Sequence, residues 1–102
     1  MTQVYAELEG GRCLLVLDGH ATGSPEVCAA ISSLVYALAG YLTNAGRDGY
    51  AEVYSMELEA GRVRLHCHGN DEVTGACKMA IIGLRQLEKQ YPELLRVDFR
   101  ED

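Results

Sequence analysis

Apolar residues fall at every second position from Val4 to Leu8, with Tyr5, Glu7 and Glu9 between them, and Gly10 and Gly11 follow. Alternation that ends in a glycine pair predicts a strand entering a tight hairpin. The next run, RCLLVLDG from Arg12, is apolar on both faces, because Leu14 and Val16 oppose Cys13, Leu15 and Leu17. Such a strand belongs at the centre of a sheet or under a partner's cover. From Ser24 the period lengthens. The Ser24 hydroxyl can cap a helix, Pro25 suits its first position and Glu26 favours its positive dipole end, so a helix is expected to run to about Leu42 or Asn44. Its surface is apolar nearly all round, which predicts one face on the sheet and a second under further cover, such as a second copy of the chain.

The stretch YAEVYSMELEAGRVRLHCHG reads as two more strands joined at Ala60 and Gly61. Val63, Leu65 and Cys67 are expected to face inward, and Arg62, Arg64, His66 and His68 outward. From Val73 the positions Ala76, Cys77, Ala80, Ile81, Leu84, Leu87 and Tyr91 recur at three and four, an amphipathic helix that stops before Pro92. The closing LLRVDF is compatible with an edge strand. The order ββαββα(β) predicts an α+β fold, a two-layer sandwich of two helices on a mixed or antiparallel sheet. No residue-level repeat accompanies the doubled ββα unit.

A chain of 102 residues fits one domain, residues 1–102, with enough core to fold unaided. The net charge of -6 argues against a nucleic-acid partner, which would call for clustered Lys and Arg. Four cysteines without a C-x-x-C pair suggest reduced thiols and a cytoplasmic setting. Residues 1–12 have no secretory character, with Glu7, Glu9 and two glycines. The uncharged stretch from Val27 to Ala45 is almost long enough to span a membrane, but Ser32, Ser33, Gly40, Thr43 and Asn44 favour a buried helix, so no membrane partner is expected.

Candidate chemistry centres on His20 and Cys28. A thiol in the first turn of a helix feels unpaired N–H groups and the positive dipole end, both of which favour thiolate, and an imidazole eight residues earlier is placed to take the proton. Spacing alone favours a packed thiol and a solvated turn histidine over a catalytic pair, because free cysteine is commonly a small buried hydrophobe. Ser32 shares a helical face with Cys28, and its hydroxyl can serve the pair or bond back to its own helix. Asp18 and Glu26 are candidate orienters of His20. N–H groups at the helix start are candidate donors for an oxyanion. The HCH of His66–His68 supplies only two ligands on one face, so no metal site is expected; Cys13 and Cys77 read as core thiols, and no cofactor is indicated.

Gly19, His20 and Ala21 at a strand end, then a glycine-containing loop, then Cys28, Ala29, Ala30 and Ser32, resemble the bacterial ribosomal-processing cysteine proteases of the Prp family. The second helix continues the likeness at Gly83, Leu84, Leu87, Tyr91, Pro92 and Glu93. The resemblance spans the chain. It implies a homodimeric cytoplasmic thiol protease that removes a short N-terminal extension from a large-subunit ribosomal protein. Cys28 would be the nucleophile and His20 the base, with Gly19, Ser32 and the loop glycine Gly23 supporting them. The loop ATGSPEV departs from the family in being shorter and in having Pro25 where members carry an aspartate. Two alternatives follow from that departure: a relative that processes phage capsid or scaffold proteins, and a non-catalytic dimer that binds peptides.

Overall fold

The computed structural model describes residues 1–102. Its elements are β1 (Thr2–Glu9), β2 (Arg12–Asp18), α1 (Pro25–Arg47), β3 (Ala51–Glu59), β4 (Arg62–Gly69), α2 (Asp71–Gln90) and β5 (Leu95–Glu101). The strands form one sheet in the order β3-β4-β2-β1-β5, antiparallel except for the β1–β5 pair. This is the expected α+β arrangement, with the doubly apolar β2 at the centre and LLRVDF at an edge.

Register explains the core. Leu15 lies between Ala6 of β1 and Leu65 of β4, Leu17 between Val4 and Val63, and Cys13 between Leu8 and Cys67. Because side chains alternate across a strand, all nine point to one face of the sheet. The helices cover that face with Val27, Val35, Leu38 and Leu42 from α1 and Val73, Cys77, Ile81 and Leu84 from α2, all buried. Each fully buried leucine contributes roughly 1.5–3 kcal/mol relative to exposure. On the other face Leu14, Val16 and His66 are only half-buried. Here Glu7 accepts hydrogen bonds from the Tyr5 hydroxyl and the Arg12 guanidinium, which together hold its carboxyl below the ordinary value.

Three boundaries differ from expectation. β1 starts at Thr2, because its N–H donates to the Leu94 carbonyl at 2.9 Å and its backbone pairs with β5. β3 begins at Ala51 and bulges between Val53 and Ser55. α1 continues past Asn44 to Arg47, since Ala45 is buried beneath the helix and Gly46 lies against Val53, and this packing outweighs the roughly 1 kcal/mol helix penalty of a glycine. Gly49, at φ +84°, then makes the turn. The outward face of α1 also differs. It presents the small residues Ala29, Ser33, Ala37 and Gly40, and Tyr36 is its one exposed large hydrophobic side chain. α1 is the one helix long and apolar enough to cross a membrane by length and composition, and in the fold its large apolar residues other than Tyr36 pack on the sheet and on α2.

Capping follows the sequence. The Ser24 Oγ accepts from the Val27 N–H at 3.3 Å, and Asn70 Oδ1 accepts from the Val73 N–H at 3.1 Å. The edge strand β5 is tied to α2 by the Val97 N–H, which donates to Glu88 at 2.9 Å, and by the Lys78–Glu101 ion pair at 2.8 Å. Between the helices the Tyr41 hydroxyl donates to Glu72 at 2.6 Å, which raises the phenol to about 12. A raised acid stabilises the fold below its unfolded value, near 10, and that contribution fades as pH climbs through about 12. Spectrophotometric titration of the tyrosines is therefore expected to show a late-titrating phenol that is absent in Tyr41→Phe.

Candidate active site

The end of β2 is fastened to the turn between β3 and β4. The Gly19 N–H donates to the Gly61 carbonyl at 2.9 Å, and the Gly19 carbonyl accepts from the Thr2 hydroxyl at 3.4 Å. Gly19 has φ +91°, and a β-carbon there would lie 2.4 Å from the Met1 carbonyl oxygen. No side chain fits that gap, and positive φ disfavours one in any case. The physical need for glycine at this position comes from this threading between the first residues and the hairpin turn.

His20 follows directly, and its imidazole packs over Gly61. A β-carbon on Gly61 would meet His20 Nε2 at 2.5 Å, so the absence of a side chain on the turn makes room for the ring. The chain then makes a turn in which the Ser24 N–H donates to the Ala21 carbonyl at 3.2 Å, with Gly23 at φ +86° in the third position. That is the geometry of a type II turn, which accounts for Gly23. Ser24 caps α1 immediately afterwards, and Cys28 is reached at the end of the helix's first turn. Its Sγ donates to the same Ala21 carbonyl at 3.5 Å. One buried residue, Ala21, thus anchors both the turn and the thiol.

His20 and Cys28 line one cavity of about 280 Å³. Its wall along α1 carries Cys28, Ser32 and Tyr36, spaced four residues apart, with Ile31 and Val35 deeper, and its opposite wall is the β3–β4 turn with Glu59, Gly61 and Arg62. Cys28 is partly exposed, whereas Cys13, Cys67 and Cys77 are buried. Ser32 keeps its hydroxyl free for the cavity. The neighbouring Ser33 is the one that bonds back to its helix, to the Ala29 carbonyl at 2.9 Å.

The remaining candidates separate. Asp18 lines a groove with Tyr5, Val16 and Asp98 and is not bonded to His20, and Glu26 accepts from the Ser24 hydroxyl at 3.4 Å. Neither orients the imidazole. The carboxylate that shares the cavity with His20 is Glu59, which sequence reasoning passed over because it arrives from a hairpin about forty residues away. The helix-start donors are also mostly committed. Pro25 has no N–H, the Val27 N–H goes to Ser24 Oγ and the Cys28 N–H to the Ser24 carbonyl at 3.1 Å. Free N–H groups near the thiol belong to the loop residues Thr22 and Gly23 and to Glu26. His66 and His68 do not act together: His66 meets Arg12 at 3.4 Å and Tyr54, and His68 meets the Gly10 carbonyl at 3.1 Å.

Away from this cavity, Cys13, Cys67 and Cys77 bring their sulfurs within 4.8 Å of one another. Hydrogen bonding to Cys67 pushes the Cys13 thiol up to about 12, and contact with Cys13 and Cys67 together with burial raises the Cys77 thiol. Cys67, toward which Cys13 and Cys77 donate, is drawn below the ordinary thiol value. No C-x-x-C spacing announces this grouping. It arises from strand register and from the placement of α2.

The model of the family described as cysteine protease Prp matches residues 1–96, and the chain belongs to that family of cysteine proteases. Among solved structures, the fold is similar to the ribosomal processing protease Prp of Staphylococcus aureus with a covalently linked product peptide, at TM-score 0.73 and 20% identity over 97% of this chain and 99% of that one. The protein SMU.848 of Streptococcus mutans superposes at TM-score 0.70 and 22% identity, covering 100% of this chain and 96% of its own. The S. aureus protease with a substrate peptide superposes at TM-score 0.61 and 18% identity over 97% and 99% of the two chains. No curated protein matches the chain in sequence.

Two outcomes test this geometry. Brief treatment of the folded protein with iodoacetamide is expected to alkylate Cys28 and leave the other three thiols unmodified, as read by peptide mass spectrometry. Gly61→Ala is expected to cost about 1–2 kcal/mol from the positive φ alone, measured by urea unfolding. It should also shift the His20 ring resonances while leaving those of His66 and His68 in place.

Proposed function

We propose that the protein is an endopeptidase in which Cys28 is the nucleophile and His20 the general base, acting on an extended peptide segment. The observation that carries the proposal is that two residues from different elements, a strand end and a helix start, open into one cavity with a free serine hydroxyl beside them. In the first step His20 takes the Cys28 proton as Sγ leaves the Ala21 carbonyl and bonds to the scissile carbonyl carbon. The imidazolium returns that proton to the departing amine as the C–N bond breaks. Water, deprotonated by His20, then attacks the thioester, and the C–S bond breaks to release the second product as the imidazolium returns its proton to Sγ. The loop N–H groups of Thr22 and Gly23 and the Glu26 N–H are the donors available to the oxyanion. Ser32 is positioned to bond to substrate along the α1 wall.

The substrate we infer is the N-terminal extension of a large-subunit ribosomal protein. Support comes from family membership, from the ribosomal processing activity named for the S. aureus relative, and from a net charge of -6 that attracts basic ribosomal tails. The setting we infer is the cytoplasm, with the protein acting as a homodimer. Free thiols support the first, and the small-residue outer face of α1 with exposed Tyr36 supports the second.

The test is cleavage of a precursor peptide that carries the extension. Wild-type protein is expected to release it, Cys28→Ala to abolish turnover, and His20→Ala to reduce it about 10²–10⁴-fold. Cleavage that persists in Cys28→Ala overturns the assignment of the nucleophile. Binding of the peptide without cleavage by the wild type would instead make this chain a non-catalytic relative.

A further inference from the structure

We propose that Cys13, Cys67 and Cys77 form a buried three-coordinate thiolate site for a soft, closed-shell cation of the Cu(I) class. The three residues come from β2, β4 and α2, and all three sulfurs lie within 4.8 Å of one another. Cys13 and Cys67 face each other across the antiparallel pair, and Cys77 closes the triangle from the helix above. A metal–sulfur bond of about 2.3 Å places three ligands roughly 4.0 Å apart around a trigonal centre, so each sulfur moves inward by no more than about 0.5 Å.

The donor set selects the cation. Three sulfurs and no oxygen exclude hard ions such as Mg²⁺ and Ca²⁺ and favour soft ones. Zinc closes a tetrahedron and would need a fourth ligand. The three residues are 2%, 1% and 0% exposed, so bulk water does not reach the triangle. No histidine supplies it, since His20 lies in the active-site cavity and His66 and His68 point to the opposite face of the sheet. A low-coordinate d¹⁰ ion fits a triangle of thiolates in an apolar shell. On binding, each ligating thiol loses its S–H bond and gains an S–metal bond, the proton passing to solvent, and no electron is transferred. The nearest cationic or protonatable groups are Arg12, which is paired with Glu7, and His66 and His68, all on the opposite face of the sheet.

The site links three elements of the core and stands apart from Cys28, so it is independent of the proposed protease activity. To test it, reduced protein is titrated without oxygen with Cu(I) supplied as its acetonitrile complex. Uptake of one equivalent is expected, with thiolate-to-copper absorption in the near ultraviolet and a rise in Tm, because the cation binds only the assembled fold. Cys28→Ala should behave the same, whereas Cys77→Ala should lose both the equivalent and the absorption. Should Cys77→Ala fail to fold, Cys77→Val restores core volume and is expected to give the same loss. X-ray absorption of the loaded wild-type protein is expected to show three sulfurs at about 2.3 Å. Loss of uptake in Cys28→Ala, retention of it in the Cys77 variants, displacement of copper by an equal amount of Zn²⁺, or a shell of two sulfurs would each overturn the proposal, as would failure to bind copper at all.

Discussion

Strand β2 is hydrogen-bonded along both edges, to β1 on one side and β4 on the other, and its register governs what happens at its two ends. A slip of one residue would turn Cys13, Leu15 and Leu17 out of the core and bring Leu14 and Val16 in. The same slip would move Gly19 off the Gly61 carbonyl and carry His20 away from the turn that makes room for it. With the register kept, the start of β2 delivers Cys13 to the thiol triangle and its end delivers His20 to the cavity. One central strand thus serves two separate groupings of reactive side chains.

The cavity is built on a chain of small residues, and the reason is geometric. Gly19 passes against the Met1 carbonyl, Gly61 lies beneath the imidazole and Gly23 takes the positive φ of the turn. Ala21, buried at the base, offers its carbonyl to both the Ser24 N–H and the Cys28 thiol. This short connection brings strand end and helix start together in few residues, so a shortened loop still places His20 and Cys28 on one cavity. Its compactness also means that Pro25 occupies the helix start without leaving an N–H unpaired. The carboxylate nearby is supplied from across the cavity, by Glu59 of the β3–β4 hairpin.

Family membership and fold agree, while the low identities to the solved relatives leave the detailed site to this chain's own residues. What those residues show is a partly exposed thiol beside a free hydroxyl, in a cleft formed by a helix and a hairpin turn. The other three thiols are shut in the core, where their proximity to one another makes them chemically distinct from Cys28.

Sequence by itself determined the element order, the central place of β2, the inward positions of β4 and the caps of both helices, because periodicity and capping are local properties. It also singled out Cys28 and His20, through a resemblance that runs the length of the chain. It misjudged the end of α1, where buried Ala45 holds the helix past the glycine, and of the candidates it offered, Asp18 and Glu26 make no bond to His20 while most helix-start N–H groups are already bonded. Only the tertiary structure decided that Glu59, Arg62 and Gly61 share the cavity and that Cys13, Cys67 and Cys77 meet. Those contacts join residues more than twenty positions apart, apart from the Cys67–Cys77 approach, which depends on how α2 folds back over β4. Long-range proximity of this kind is set by strand pairing and helix packing, and residue spacing does not encode it.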